Sequence, residues 1–489
     1  MSQDLPQTQL FIGGQECPAE GQATYDLFNP ARPNEHVGRA AFGSVADMDR
    51  AVRAAHDAFP AWAALDYVER AAFLRKIARD LLGDHEETTR LARLFTREHG
   101  KILFETRLEL SRIGNRFDEV ADYADRLAQD EEIRSAQFET IVTRQPRGVA
   151  GLVVPWNWPL AILGAKLPQA LLAGNTVVVK PAQSSSLVIA MILRRIAELL
   201  PPGVVNLVTG SSGRIGDALV GHPLVRMVNF TGSVDVGRHV MQVAARNITP
   251  VTLELGGNDA GLVLEDAELN DAALLRMWLA AFMSTGQICM ALKRLYVHRS
   301  RFDEVVAGLT AIGRRQVIGD GLLPDTTMGP LNNHKQQQVV RGMVDQARNH
   351  GSRILDLGEV PDEALFKTGY FLRPTLVIDP DPALSVVRDE QFGPTLPVLP
   401  FDTEDQAVAM ANDSDFGLCS SVWSPDLDRA RAIARRLEAG YTYINNHGAA
   451  AQDGRGPFGG FKHSGIGRNF GYEGVTQFQG LHSISIPAG

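Results

Sequence analysis

From about residue 147 onward, short β-rich runs alternate with helical ones, and this alternation constrains the fold more than any other feature of the chain. GLVVP, NTVVVK, GVVNLVTG, LVRMVNF and VTLEL have the length and β-branched content of buried strands. SSSLVIAMILRRIAELL, GRIGDALVG and VDVGRHVMQVAARN stand between them with apolar residues at helical spacing. Ser184 to Ser186 are placed to cap the first of these helices, and Pro201-Pro202-Gly203 to stop it. Strands separated by helices lie parallel, with the helices covering the sheet. A second alternating set follows from about residue 257 to 460, with RLYVH, RFDEVVAGLTAIGRRQ, FLRPTLVID, LPVLPF and DRARAIARRLEAG as its clearest pieces. Residues 45 to 130 read instead as long amphipathic helices. The chain has 489 residues, too many for one core. The expected fold class is therefore α/β, with two doubly wound parallel-sheet domains. No repeat, low-complexity tract or flexible linker separates them, so a site between the two is expected.

Charge and apolar patterning exclude several function classes. The net charge is −9 and no dense Lys/Arg block occurs, which argues against nucleic acid or an anionic membrane as partner. The N-terminus, MSQDLPQTQLFIGGQ, lacks the basic and apolar regions of a signal peptide. The most apolar stretch, residues 148–165, contains Pro155, Asn157 and Pro159 and makes a poor membrane span. The three cysteines are Cys17, Cys289 and Cys419, an odd and sparse set that suits a reducing compartment. A cytoplasmic protein without a metal site is expected.

Four segments carry candidate chemistry. In FMSTGQICMALKR, Cys289 follows Gly286-Gln287, and glycine lets backbone approach a reacting centre; a thiolate is a strong nucleophile and good leaving group. Taken alone, this cysteine suits a buried structural thiol better. In LELGGN, Glu254 ends a strand before a Gly-Gly turn, where a carboxylate can serve as general base or simply face solvent. In VVPWNWPL, Asn157 is an amide in an apolar, proline-bracketed stretch; it can donate to an oxyanion or fix the turn at Pro159. In NFTGSVDVGR, Gly232 and Ser233 follow a strand and open a helix, whose unpaired N–H groups suit a pyrophosphate, although many α/β turns look the same. GSSGRIG, residues 210 to 216, lacks the spacing of a dinucleotide fingerprint.

Together, PWNWP, KPA, FTGSVDVG, LELGGN, FMSTGQIC, EQFGP and PFGGFKHSGIGR resemble the aldehyde dehydrogenase superfamily, in that family's order and from about residue 10 to the C-terminus. KRLYVH, DEQFGP and INNHGAA resemble a bacterial branch of general NAD(P)-dependent members. The resemblance implies an atypical Rossmann cofactor domain at 1-123 and 147-256, a catalytic domain at 257-458, and a small β bridging arm at 124-146 and 459-489. It implies oxidation of an aldehyde to the acid. Cys289 attacks the carbonyl, Asn157 and the Cys289 N–H hold the oxyanion, and Glu254 activates water to hydrolyse the thioester, with Lys166 at the start of a proton path. It further implies that Lys180 and Gln183 meet the adenine ribose. Gly232 and Ser233 meet the pyrophosphate at the helix start, and Gly213, Phe230 and Thr231 are further cofactor-binding residues. Glu390 and Phe392 meet the nicotinamide ribose, and Val154, Pro155, Trp156, Leu255 and Gly256 complete the cofactor wall.

Three departures from the family pattern matter. Gln183 stands where NAD-preferring relatives often carry Glu; NAD is the expected cofactor, and NADP stays open because an amide does not repel a 2'-phosphate. Asn469 stands where relatives often have a titratable Glu, leaving proton release to Glu254 and water. Ile288 and Met290 flank the nucleophile, so no second thiol protects it. The implied substrate tunnel consists of Trp158, Ile162, Met283, Ile288 and Met290, with Ala161 and Ala165 leaving it open and His447 at its edge. No Arg or Lys stands among these positions. The expectation is therefore an apolar aromatic or medium-chain aldehyde, not one with a distal acid. FETIVTRQP and the C-terminal LHSISIPAG resemble the family's bridging arm, so self-association as a dimer or tetramer is expected.

Overall fold

The computed structural model of the protein describes residues 5–487; residues 1–4 and 488–489, which the expected domain boundaries include, lie outside the described residues. Five parallel strands form the heart of the first domain: Val149–Val154, Thr176–Pro181, Val205–Leu207, Val225–Thr231 and Val251–Glu254. Numbered along the chain, they lie in the order third, second, first, fourth, fifth. The order reverses between the first and fourth strands, and a crevice opens there at the strand carboxyl ends. Val149–Val154 is followed by the Asn157 loop, Val225–Thr231 by Gly232 and Ser233, and Val251–Glu254 ends on Glu254 itself. Leu10–Ile12 and Gly465–Ile466 extend the sheet antiparallel on its two sides. Every residue of Thr176–Pro181 is buried, as a strand covered by helices on both faces must be.

The second domain holds six parallel strands: Asp259–Val263, Leu292–His298, Thr375–Ile378, Thr395–Phe401, Cys419–Trp423 and Tyr441–Ile444. Arg353–Asp356 closes one edge antiparallel. Only Leu255, Gly256, Gly257 and Asn258 join the last parallel strand of the first sheet to the first of the second. The carboxyl edge of one sheet therefore abuts the amino edge of the other. Both doubly wound sheets match the expected fold class.

Phe138–Pro146 pairs along its whole length with Gln479–Pro487 and on its other side with Glu131–Arg134, forming a separate three-stranded antiparallel arm. Residues 459–478 were expected in this arm, but part of the segment belongs to the body. Gly465–Ile466 pairs with Leu253 and Glu254, and Phe470, Val475 and Phe478 are buried. Burying Phe470 beside the Cys289 cluster and Val475 and Phe478 in the first-domain core ties this segment to the body before the chain reaches the arm. Among the described residues, no helix is long and apolar enough to cross a membrane.

The helix Leu103–Ala121 buries Thr106, Leu110, Ile113 and Phe117 and carries two glutamates inward as well. Glu109 pairs with Lys101 at 2.6 Å, with both side chains all but inaccessible to solvent. Its second oxygen accepts the N–H groups of Leu160 at 2.7 Å and Ala161 at 3.0 Å, at the start of the helix Pro159–Gly164. Glu105 accepts from the Ser284 N–H at 2.6 Å, in the second domain. Removing one partner of such a pair strands the other charge, at a cost on the order of 3–5 kcal/mol. Glu109→Ala is thus expected to lower the thermal unfolding midpoint by several degrees, read by calorimetry; an unchanged midpoint would show that the pair holds nothing in place.

Candidate active site

The helix Asp271–Phe282 ends in a turn, Met283–Gly286, in which Ser284, Thr285 and Gly286 take successive positive φ values of 51°, 57° and 71°. Left-handed backbone costs a non-glycine residue about 1–2 kcal/mol, so this turn persists only because its surroundings hold it. Glu105 holds the Ser284 N–H, and the Thr285 hydroxyl donates to the Gly329 carbonyl at 3.0 Å. The Gln287 side-chain oxygen accepts from the Asn332 N–H at 3.0 Å. Gly286 cannot be replaced without displacement, because a Cβ there would overlap the Gly393 carbonyl oxygen. The turn delivers Cys289 just before the strand Leu292–His298, half-buried, with no acceptor for its backbone N–H among the described residues.

Asn157 comes from the first domain and Cys289 from the second, and they meet. The Asn157 amide is buried and donates to the Gln287 carbonyl at 3.0 Å, which fixes its orientation and leaves its other N–H free. His99 bonds the neighbouring Trp156 carbonyl at 2.8 Å and steadies the same loop. Glu254 is buried, with one carboxylate oxygen lacking any hydrogen-bond partner. Desolvation raises its pKa above the usual carboxylate range, and the positive charge of Lys166 partly offsets the rise. The Cys289 thiol is pushed well above its ordinary value, first by burial and then by the Glu254 charge facing it. Lys166 is completely buried and pushed down to about 7 by desolvation. It donates to Asn229, whose amide donates in turn to Asn469 at 2.8 Å. The chain's departure at Asn469 thus appears as a bridge of two amides, which holds Lys166 but carries no titratable proton.

Two hollows meet at Cys289 and Asn157. One is a cavity lined by Trp158, Ile162, Ile288 and Met290 as expected, and by Ala161, Ala165 and Glu254. Sequence reasoning missed Phe458, Phe470 and Asn469 on its wall, and above all Arg112, Arg116 and Gln452. The two arginines stand four residues apart on the helix Leu103–Ala121, and nothing in their spacing says which face meets the cavity. The expectation that no cation reaches this tunnel is corrected by them. The other hollow is a cleft of about 690 Å³, lined by Pro155, Trp156, Thr231, Gly232, Ser233, Leu255, Gly256, Glu390 and Phe392, with Gln336 and Val339 as unexpected members.

The remaining expected residues lie off these walls. His447 is buried, with Nδ1 bonding the Ser421 hydroxyl at 2.9 Å and Nε2 facing Asp259 at 3.6 Å, and it is not among the residues lining the cavity. Met283 packs in the apolar cluster behind Ile288 without reaching the wall. Phe230 lies buried beneath Gly232, where a Cβ would overlap its ring, and Val154 is a buried strand end. Lys180 is buried beyond the cleft wall, donates to the Ser212 hydroxyl at 2.5 Å, and is pushed down to about 8 by desolvation. Gln183 and Gly213 are exposed nearby.

A family model described as the aldehyde dehydrogenase family matches residues 18–484. A geranial dehydrogenase from Castellaniella defragrans is 36% identical over 482 residues, covering 98% of each protein. A glutarate-semialdehyde dehydrogenase from Pseudomonas putida is 35% identical, covering 98% of this chain and 97% of that one. Among solved structures, a betaine aldehyde dehydrogenase from Staphylococcus aureus in complex with NAD+ superposes with a TM-score of 0.92 at 32% identity, covering 98% of this chain and 94% of that one.

The electrostatics of the thiol can be tested directly. Alkylation of Cys289 by iodoacetamide, followed by peptide mass spectrometry, is expected to rise with pH through a midpoint above that of a free cysteine, about 8.5. In Glu254→Gln the midpoint should move down, since the facing negative charge is gone. A midpoint below the free-cysteine value would contradict the burial described above.

Proposed function

The chain belongs to the aldehyde dehydrogenase family, and on that premise we propose that it oxidises aldehydes to carboxylic acids through a covalent Cys289 intermediate. The observation that carries the reading is the junction of two hollows at one thiol, with a free amide donor and a buried carboxylate beside it.

In this reading the aldehyde enters the cavity beside Trp158 and Ile288, and the Cys289 sulfur bonds its carbonyl carbon. The thiol is neutral at rest, so its proton has to leave as the bond forms, and Glu254 faces it to accept. The free N–H of Asn157 and the backbone N–H of Cys289 both lack other acceptors and are available to the oxyanion. The alkoxide on the thiohemiacetal carbon weakens the adjacent C–H bond and favours hydride loss. The thioester that results is hydrolysed by water from which Glu254 takes a proton. Splitting the oxidation in this way replaces one hard step with two easier ones.

NAD, bound in the cleft, supplies the hydride acceptor. The chain's residues fit such a dinucleotide. The helix Val234–Ala244 opens on the cleft, and the Ser233 side chain leaves its first N–H groups uncapped. Gly232 and Gly256 keep the wall free of Cβ atoms. Glu390 accepts from the Gly257 N–H at 3.1 Å and is pushed up to about 8 by desolvation, leaving carboxyl oxygens for ribose hydroxyls. Trp156 and Phe392 stack edge to face, 5.5 Å between centroids, and close the end of the cleft. Lys180 and the exposed Gln183 are the proposed adenine-ribose contacts. The NAD+ bound by the Staphylococcus relative supports the same choice.

The names of the relatives span a terpene aldehyde, a semialdehyde acid and a quaternary ammonium aldehyde, and do not choose a substrate. The apolar wall around the thiol favours an aromatic or medium-length apolar group next to the aldehyde carbon. The exposed Ile133, Phe138, Leu481, Ile484 and Ile486 of the arm support self-association as a dimer or tetramer.

Benzaldehyde and hexanal are expected to give NADH absorbance with the parent and none with Cys289→Ala. Glu254→Gln should lose roughly 10²- to 10⁴-fold in both the first-turnover burst and the steady-state rate, because Glu254 serves as base first to the thiol and then to water. Glu254 works as a base only when ionised, so activity should rise with pH through a midpoint above the usual carboxylate range. Lys166→Gln removes the charge that lowers Glu254, so that limb should move to higher pH. Full turnover by Cys289→Ala would end this mechanism.

A further inference from the structure

The walls of the substrate cavity are not uniformly apolar. Arg112 and Arg116, one helical turn apart on Leu103–Ala121, share a face, and that face lines the cavity holding Cys289. Arg116 is already engaged: it pairs with Glu119 at 2.6 Å and lies 4.9 Å from the centre of the Phe470 ring. Arg112 is half-buried and makes no ion pair or hydrogen bond among the described residues. Burial, and then the Arg116 charge, hold it below the usual arginine value, and the Glu119 carboxylate offsets them only in part. The buried Gln452 Nε2 on the same wall also has no acceptor. Leaving such donors unpaired beside Trp158, Ile162 and Phe458 is costly unless something else accepts from them.

The wall residues give the cavity a polarity. The part of the wall with the buried Asn157 and Glu254 beside Cys289 is called its floor, and the part with the half-buried Arg112, Arg116 and Gln452 its mouth. An anion at the floor meets the Glu254 carboxylate. An anion at the mouth meets the Arg112 guanidinium, which makes no direct ion pair among the described residues, and a free amide donor. Between them Ile162, Ile288 and Met290 offer only apolar surface.

We propose that Arg112, with Arg116 and Gln452 beside it, binds a carboxylate at the far end of the substrate, so that the preferred aldehydes join an apolar body to a distal acid group. Arg suits this because its planar fork matches a carboxylate in two parallel hydrogen bonds. The proposal rests on the aldehyde-oxidising reading of Cys289 and deepens it.

The test compares matched pairs: 4-formylbenzoate against benzaldehyde, and 6-oxohexanoate against hexanal, each with the parent, Arg112→Gln and Arg112→Lys. In at least one pair the parent should favour the acid in kcat/KM by roughly 10- to 100-fold, mainly through KM, as expected for a charged hydrogen bond. Arg112→Gln should collapse that acid-to-neutral ratio, and Arg112→Lys should restore part of it. A parent that prefers neither acid, or a ratio that Arg112→Gln leaves unmoved, overturns the proposal while the oxidation of benzaldehyde and hexanal still stands. A parent that oxidises none of the four aldehydes overturns the parent reading as well.

Discussion

The Lys101–Glu109 pair and Glu105 beside it are the interactions on which the site geometry depends. In a dry interior, two opposite charges attract strongly but lose their water, and they are tolerated only where every remaining oxygen and proton is matched. Here the matching groups belong to the working loops. Glu109 takes the N–H groups that follow the Asn157–Trp158 turn, and Lys101 lies 4.1 Å from the centre of the Trp158 ring. Glu105 takes the Ser284 N–H, in the left-handed turn that precedes Cys289. One helix thus spans two domains through charge, and the distance between the amide donor and the thiol follows from it.

The sheet order supplies the second constraint. The Asn157 loop and the Gly232–Ser233 turn flank the reversal between neighbouring strands, so both reach the crevice. Glu254 ends the next strand across and arrives from the same edge. The second domain closes the crevice with Cys289 and Glu390, from segments just ahead of its own strands. Because Asn157, Thr231 and Cys289 line both cavity and cleft, the sulfur faces both hollows.

Much of this was legible in the sequence. Strand-helix alternation announced both sheets, and Cys289, Asn157 and Glu254 were each recognisable as polar groups in apolar or glycine-bounded settings. None could be assigned singly, because what makes each one chemical is the presence of the other two. The strands Asp259–Val263 and Cys419–Trp423 were less visible, since DAGLV and CSSVW carry few of the large β-branched residues that mark a strand. His447 misled because a loop histidine near glycines reads as accessible, whereas its partner Ser421 lies on a strand within the body. Arg112 and Arg116 were overlooked for the opposite reason: arginines at helical spacing read as a solvated face until tertiary packing sets the helix against a hollow.

The amide bridge beneath Lys166 has a consequence for traffic. Asn229 and Asn469 partner the lysine with amides that neither take up nor release protons at ordinary pH, and Asn469 itself lies on the cavity wall. These amides offer a proton no titratable side chain to pass to, so on the proposed reading a proton freed at the centre leaves by the two hollows that would admit the aldehyde and the dinucleotide. An occupied passage is a closed one, so the charge state of the centre resets only as its visitors depart. Turnover and deprotonation share a doorway, and the order in which molecules leave becomes part of the acid–base cycle.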